Sequence, residues 1–258
     1  MAALRIAGRQ LIVERPDEDH GEDHGEDSDE DHGDSGAMMW GSYPMAPWAG
    51  RVKHATFRFG GRQYVVSANL APHAIHGTVF NAPWQVDDAD ATSVTLSCSL
   101  GTDWPFGGHA HQRIELRPEQ LVCELAVIAG DSAMPVQLGW HPWFVKPRSA
   151  TLRFEMMYAR GAEGVPTGEL IEPPVGPWDD CFVRPLAPLT LHHDDLTVTV
   201  ESDCEHWVVY DRPTHATCVE PQSGPPDGFN LEPHLLAPGQ RLTRWMRIRW
   251  AEIGRDRP

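Results

Sequence analysis

The sequence predicts an all-β chain, built as a large antiparallel β-sandwich with few short helices. Three observations lead there. Short runs of alternating apolar and polar residues follow one another from residue 38 onward, as half-buried strands require. Gly- and Pro-containing turns separate them, and no helical segments alternate with them as a parallel sheet would need. The 258 residues include 23 prolines, nearly twice the average usage of about 5%. Few windows remain in which a helix could run uninterrupted.

Near the N-terminus, LRIAGRQLIVERP reads as a strand with Leu11 and Val13 turned inward. DEDHGEDHGEDSDEDHGD (17–34) follows. From Glu14 to Asp34 there are 12 acidic residues and one arginine, a net of −11 out of −16 for the chain. Like charges repel and nothing in this tract can enter a core, so disorder is expected. Weak collection of a divalent metal by His20, His24 and His32 is the other reading. The expected organisation is therefore an N-terminal strand and acidic tract over residues 1–37, then one β domain over 38–258.

Within that domain, TFRFGGRQYVV gives two alternating runs, Phe57 and Phe59 then Tyr64 and Val66, joined by Gly60-Gly61. That pattern is a hairpin with a two-residue turn. SVTLSCSL sets Val94, Leu96, Cys98 and Leu100 on one face. QLVCELAVI and LTVTVES continue the alternation. RLTRWMRIRW opposes Leu242, Met246, Ile248 and Trp250 to Arg241, Arg247 and Arg249, one face apolar and one charged.

Composition excludes several functions. Without the tract the chain carries only −5, whereas a nucleic-acid partner calls for a basic face. No apolar stretch approaches the roughly 20 residues of a spanning helix, so no membrane partner is expected. Cys98, Cys123, Cys181, Cys204 and Cys218 are odd in number and form no CxxC pair. With no secretory leader in view, they read as reduced thiols of a cytoplasmic protein. There is no GxGxxG, Walker loop, GxSxG or HExxH.

Five segments depart from the strand-and-turn pattern. PMAPWAGRV (44–52) carries Trp48 and Arg51. HAIHGTVF (73–80) carries His76 before Gly77. LGWHPWF (138–144) sets His141 between Trp140 and Pro142, with Trp143 next. GPWDDCF (176–182) carries Asp179 and Asp180. CVEPQSGPPDGFN (218–230) ends an apolar run on Glu220 and continues into a Pro/Gly loop. Each joins a polar group to an indole or a rigid turn. Sugars call for that mixture, with hydrogen-bonding groups at the ring edge and aromatic faces against its C–H groups. Ordinary readings stand beside this one: Glu220 as a surface acid, His76 as a turn histidine, Asp179–Asp180 as a cap, Arg51 as a surface cation. A two-His, one-carboxylate metal site from His76, His141 and Glu220 also stays open.

Taken in order, PMAPWAGRV, His76–Gly77, GWHPWF, the D-x-x-F of DDCF and VEPQSGPPDGFN resemble the aldose 1-epimerase (galactose mutarotase) family over roughly residues 41–250. The resemblance implies a galactose mutarotase-like supersandwich holding a monosaccharide, with no metal and no other cofactor. It implies Glu220 as general base, His141 as general acid and His76 assisting at the ring oxygen. Arg51 and Asp179 would bind sugar hydroxyls, and Trp48 and Trp143 would line the substrate. In the implied reaction the acid and base must start in opposite states, and a carboxylate and an imidazolium serve if the surroundings hold the His141 pKa near or above the working pH. Sugar-phosphate epimerisation, with Arg113, Arg160 or Arg184 recruited, and a non-catalytic sugar-binding module are the alternatives. Two departures stand out. AGR replaces the commoner ANR, and the acidic tract occupies the place of the usual leading strands, so an edge strand is expected to be missing or displaced.

Overall fold

A computed structural model of the chain describes residues 1–15 and 35–253. The acidic tract and its three histidines lie outside the described residues. Two large antiparallel sheets dominate. The first has eight strands, in spatial order Ser149–Thr151, Leu189–His192, Leu196–Ser202, Arg241–Glu252, Gln120–Ile128, His109–Arg117, Ser93–Ser99 and Gln85–Ala89. The second has seven: Pro166–Ile171, Phe154–Arg160, Asp179–Pro185, His206–Tyr210, Ala216–Gln222, Gly139–Val145 and Ser42–Met45. The predicted alternation is realised in both. Among the described residues the only α-helix is one turn, Gly228–Leu231.

The period of two decides what each face does. From the eight-stranded sheet, Leu125, Val127, Leu191, Val198, Val200, Met246 and Ile248 enter the main core. They meet Trp140, Phe144, Phe182, Trp207, Val209 and Val219 from the seven-stranded sheet. Fully burying a side chain such as Phe144 or Phe182 contributes about 1.5–3 kcal/mol. The other face of the seven-stranded sheet carries the alternate residues: Tyr43, His141, Trp143, Cys218, Glu220 and Asp179. Sheet faces in this architecture are thus unequal, one a packed core and the other lined with polar groups.

The hairpin of Thr56–Phe59 and Arg62–Val65 forms as expected, with Phe59 opposite Arg62. Gly60 and Gly61 both take positive φ, 55° and 76°, which is the two-residue hairpin turn that favours glycine. The N-terminal strand reading is refined. Arg5–Ile6 pairs with Arg9–Gln10, and Leu4, Leu11 and Ile12 join the main core. Residues 11–13 then lie along the Gly139–Val145 strand: Val145 N–H bonds Leu11 O at 2.9 Å, and Val13 N–H bonds Trp143 O at 2.8 Å.

One boundary is corrected. The run ending in Glu220 continues as a strand to Gln222, with Pro221 inside it, opposite Trp207. Proline costs a ladder hydrogen bond there, so the carboxylate is held by strands on both sides and not by a strand end.

Candidate active site

Three strands set the central residues. Gly139 stands opposite Gln222 and Trp143 opposite Cys218, which places His141 across from Glu220. Val208 flanks Glu220 on the other side. The result is direct contact: His141 Nε2 lies 3.2 Å from Glu220 Oε1, with both side chains buried. Gln222, two residues on and on the same face, donates from Nε2 to Glu220 Oε2 at 3.1 Å. Sequence reasoning missed Gln222, although strand alternation puts it beside the glutamate.

His141 sits inside an aromatic stack. Tyr43 stacks on it, centroids 4.9 Å apart and 26° from parallel, and so does Trp143, at 5.3 Å and 17°. Tyr43 is itself fixed by donating its hydroxyl to Met38 O at 3.1 Å. The imidazole plane is therefore clamped. Trp143, 2% exposed and as buried as Glu220 itself, orients the histidine. Trp48 lies elsewhere. It too is 2% exposed, packed in the main core against Trp104 and Phe229. A tryptophan in a Pro-broken apolar segment reads alike whether its ring lines a cleft or fills a core.

His76 arrives from a separate turn. Its ring meets that of His141 edge-on, centroids 5.0 Å apart. Arg51 pairs with Ile75 across a short ladder, and His76 N–H bonds Gly50 O at 3.1 Å, so Arg51 and His76 are brought together. His76 has φ +63° and Gly77 φ +81°. A Cβ on Gly77 would lie 1.9 Å from Ala46 O, so only glycine lets the turn press against that backbone. His76 Nδ1 and Gln222 Oε1 are buried polar atoms without a partner among the described residues.

The Pro/Gly loop after Glu220 is strapped down from beneath. Gln137 Nε2 donates to Pro225 O at 3.0 Å, and a Cβ on Gly228 would fall 1.8 Å from that same amide nitrogen. Asp227 is buried and accepts at Oδ1 from Lys53 N–H at 2.9 Å and from Asn230 Nδ2 at 2.8 Å. Asp227 N–H in turn bonds Arg51 O at 2.5 Å. The loop thus ties the Glu220 strand to the segment bearing Arg51.

Arg160 joins the site from the neighbouring strand. Its Nη2 lies 2.9 Å from Asp179 Oδ2 and its Nη1 3.4 Å from Asp180 Oδ1, and it also donates to Asp179 O. Arg113 and Arg184 do not reach this region; they pair with Glu115 and Glu155. The guanidinium of Arg51 is in no ion pair among the described residues. It converges with that of Arg160 at Gly164, where a Cβ would sit 3.5 Å from Arg51 Cζ and 2.8 Å from Arg160 Nη2. The metal reading with two histidines is also revised: the cluster whose ligand atoms lie together within 4.8 Å is His141, Cys218 and Glu220, without His76.

Burial dominates the electrostatics. Desolvation pushes the Glu220 carboxyl well up, aided by Asp179 and opposed by the Gln222 hydrogen bond and Arg51. It pushes the His141 imidazole down, with Asp179 opposing. The condition that the surroundings hold a proton on His141 is thus opposed by burial. Burial disfavours both the doubly protonated cation and the proton-free anion of the pair, so together the two groups hold one proton.

A pH dependence of stability follows. His76 and His206 are buried and held below the ordinary 6.5, chiefly by desolvation. The unfolded chain protonates them below that value and the native chain does not, so stability falls as pH drops beneath about 6.5. Glu220 acts oppositely: its raised folded value gives a contribution that is full below its ordinary 4.5 and is lost as pH rises through the folded value. His141, at about 3, and His73 and His193 are lowered in the same sense, so the imidazoles outnumber Glu220 and set the slope. Thermal midpoints are expected to fall as pH is lowered from about 6.5, where the unfolded-state imidazole titrates. A midpoint that rises steadily toward pH 5 contradicts the assignment.

Several solved structures share this fold. A galactose mutarotase-like protein from Clostridium acetobutylicum superposes with a TM-score of 0.77, covering 94% of this chain and 86% of that one at 17% identity. An aldose epimerase homologue from C. elegans gives 0.76, covering 95% and 89% at 15% identity. A galactose 1-epimerase from Lactobacillus acidophilus gives 0.73, covering 95% and 86% at 16% identity. Identities this low speak for the fold alone. The uncharacterized protein YihR of Escherichia coli K12 is 26% identical over 113 residues, covering 38% of this chain and 34% of that protein. The match thus spans about a third of that relative's length. Residues 14–249 match the family model described as aldose 1-epimerase, and with nearly the whole chain matched, the protein belongs to the aldose 1-epimerase family.

Proposed function

We propose that this chain interconverts the α and β anomers of a free monosaccharide by opening and reclosing its ring. The observation that carries the reading is the buried contact of His141 with Glu220. Mutarotation removes one proton and delivers one, with no net change. A pair holding a single proton between two bases matches that requirement in both directions.

Glu220 takes the proton of the anomeric hydroxyl while His141 gives its proton to the ring oxygen. The C1–O5 bond breaks, leaving a carbonyl at C1 and a hydroxyl at C5. The carbonyl end turns by about half a rotation. The C5 hydroxyl then attacks the other face, returning its proton to His141 as Glu220 returns the other to the new anomeric oxygen. The pair must enter as carboxylate and imidazolium. Arg51 and Gln222 favour the first against the pull of burial and of Asp179, and Asp179 favours the second against burial. The Tyr43–Trp143 clamp keeps the imidazole in the plane that reaches the substrate, a positioning contribution. His76 assists at the ring oxygen, and Arg51 and Asp179 bind hydroxyls.

Charge favours a free sugar over a sugar phosphate. Arg51 and Arg160 bring two positive charges, and Asp179 and Asp180 bring two negative ones, so the cluster has no net charge to offer a phosphate. Polarimetry on freshly dissolved α-glucose and α-galactose tests this. The expected result is decay faster than in buffer, with glucose 6-phosphate a poorer substrate. The buffer rate across a broad panel of aldoses contradicts it, and tight sugar binding at that rate favours a binding module instead.

A further inference from the structure

We propose that the active-site face contains an inhibitory zinc site formed by His141, Cys218 and Glu220. Their ligand atoms all lie within 4.8 Å of one another, and all three residues are buried. Nitrogen, thiolate sulfur and carboxylate oxygen form a donor set that zinc accepts and that magnesium or calcium, which take oxygen, reject.

The His141–Glu220 spacing and the backbone support suit zinc, and the Cys218 sulfur, within 4.8 Å of both, has up to about 1 Å to close. Bond lengths to zinc put tetrahedral neighbours roughly 3.3 Å apart for N and O, and about 3.6 Å apart when one is sulfur. His141 Nε2 and Glu220 Oε1 already stand 3.2 Å apart. Cys218 precedes Glu220 by two positions on the same strand, so both point to one face, and its register partner is Trp143, two positions from His141. The three ligands thus come from adjoining strands of one sheet. Tyr43 and Trp143 hold the imidazole plane as outer supports do in built metal sites.

Charge explains why a buried site would take the ion. Alone, the Cys218 thiol is held protonated by burial and by the nearby Glu220 and Asp179. A divalent ion bound by one thiolate, one carboxylate and a neutral imidazole makes a group with no net charge. The desolvation that penalises each anion separately then no longer opposes them together. Binding releases the thiol proton and the proton shared by the pair, so affinity rises with pH. Occupation removes both the acid and the base from the proposed reaction. That consequence rests on the mutarotase reading; the binding does not.

The test uses the full chain, kept reduced, with Co²⁺ as a spectroscopic probe and Zn²⁺ as competitor. A saturable near-ultraviolet thiolate-to-cobalt band is expected, erased by Zn²⁺. It should be absent from Cys218→Ala and retained by Cys181→Ala, the neighbouring buried thiol on this face. The acidic tract has no cysteine, so ions held there give no such band. Zn²⁺ is expected to stop mutarotation and a chelator to restore it. Cys218→Ala should keep the metal-free rate and need at least about 10–100-fold more Zn²⁺, the scale on which metal sites respond to lost support. No band in the wild type, or an equal band in Cys218→Ala, overturns the proposal. Should the chain lack mutarotase activity, the band still decides the metal site.

Discussion

Glu220→Gln is expected to reduce mutarotation by about 10²–10⁴-fold, the contribution of a positioned general base, with the fold intact. The substitution keeps the side chain's size and its reach toward Gln222. It removes the group that accepts the anomeric proton. Because burial already favours an uncharged side chain at this position, the amide costs the native state little. Thermal stability should hold or rise while kcat falls. This separates a catalytic carboxylate from a structural one, whose loss would lower the midpoint and leave the rate per folded molecule unchanged. Polarimetric rates beside thermal melts distinguish the two.

Gly77→Ala is expected to be the most destabilising single-methyl change on this face. A Cβ there falls 1.9 Å from Ala46 O and 2.3 Å from Ala46 C, and backbone cannot yield as a flexible side chain can. The positive φ of +81° adds its own cost. Together these suggest roughly 3–5 kcal/mol, the upper end of single substitutions. Gly60→Ala is the control. It also has positive φ, +55°, but nothing within 4 Å, so about 1–2 kcal/mol is expected. Denaturant midpoints of the two variants, compared with wild type, read the difference. Equal losses would mean that the crowding at Ala46 is not real.

How much of this was legible beforehand differs by residue. Strands with strict alternation were read closely: LTVTVES is the strand Leu196–Ser202, and RLTRWMRIRW lies within Arg241–Glu252. Each has one wet and one dry face, and the period shows through. The candidate residues Glu220, His141, His76, Arg51 and Asp179 stand out in the sequence as polar groups beside an aromatic ring or rigid turn, and the family resemblance supplies their proposed roles. What stayed hidden depends on three-dimensional partners. Trp48 and Trp143 look alike in sequence, yet one fills the core and the other braces His141. Pro221 suggested a strand end, but flanking strands on both sides hold it in the ladder. Arg160 gained its place only when its strand was laid beside Asp179. Protonation is hidden for a related reason: it depends on the surroundings, and burial of both partners opposes an imidazolium beside a carboxylate.

The most direct measurement of the central claim is a double-mutant cycle on mutarotation rate with Glu220→Gln, His141→Gln and the pair combined. Two groups that exchange one proton with a single substrate act as a unit, so the losses should not add. The double variant is expected to be about as slow as the slower single variant. Losses that multiply independently, or either single variant running at the wild-type rate, would contradict it.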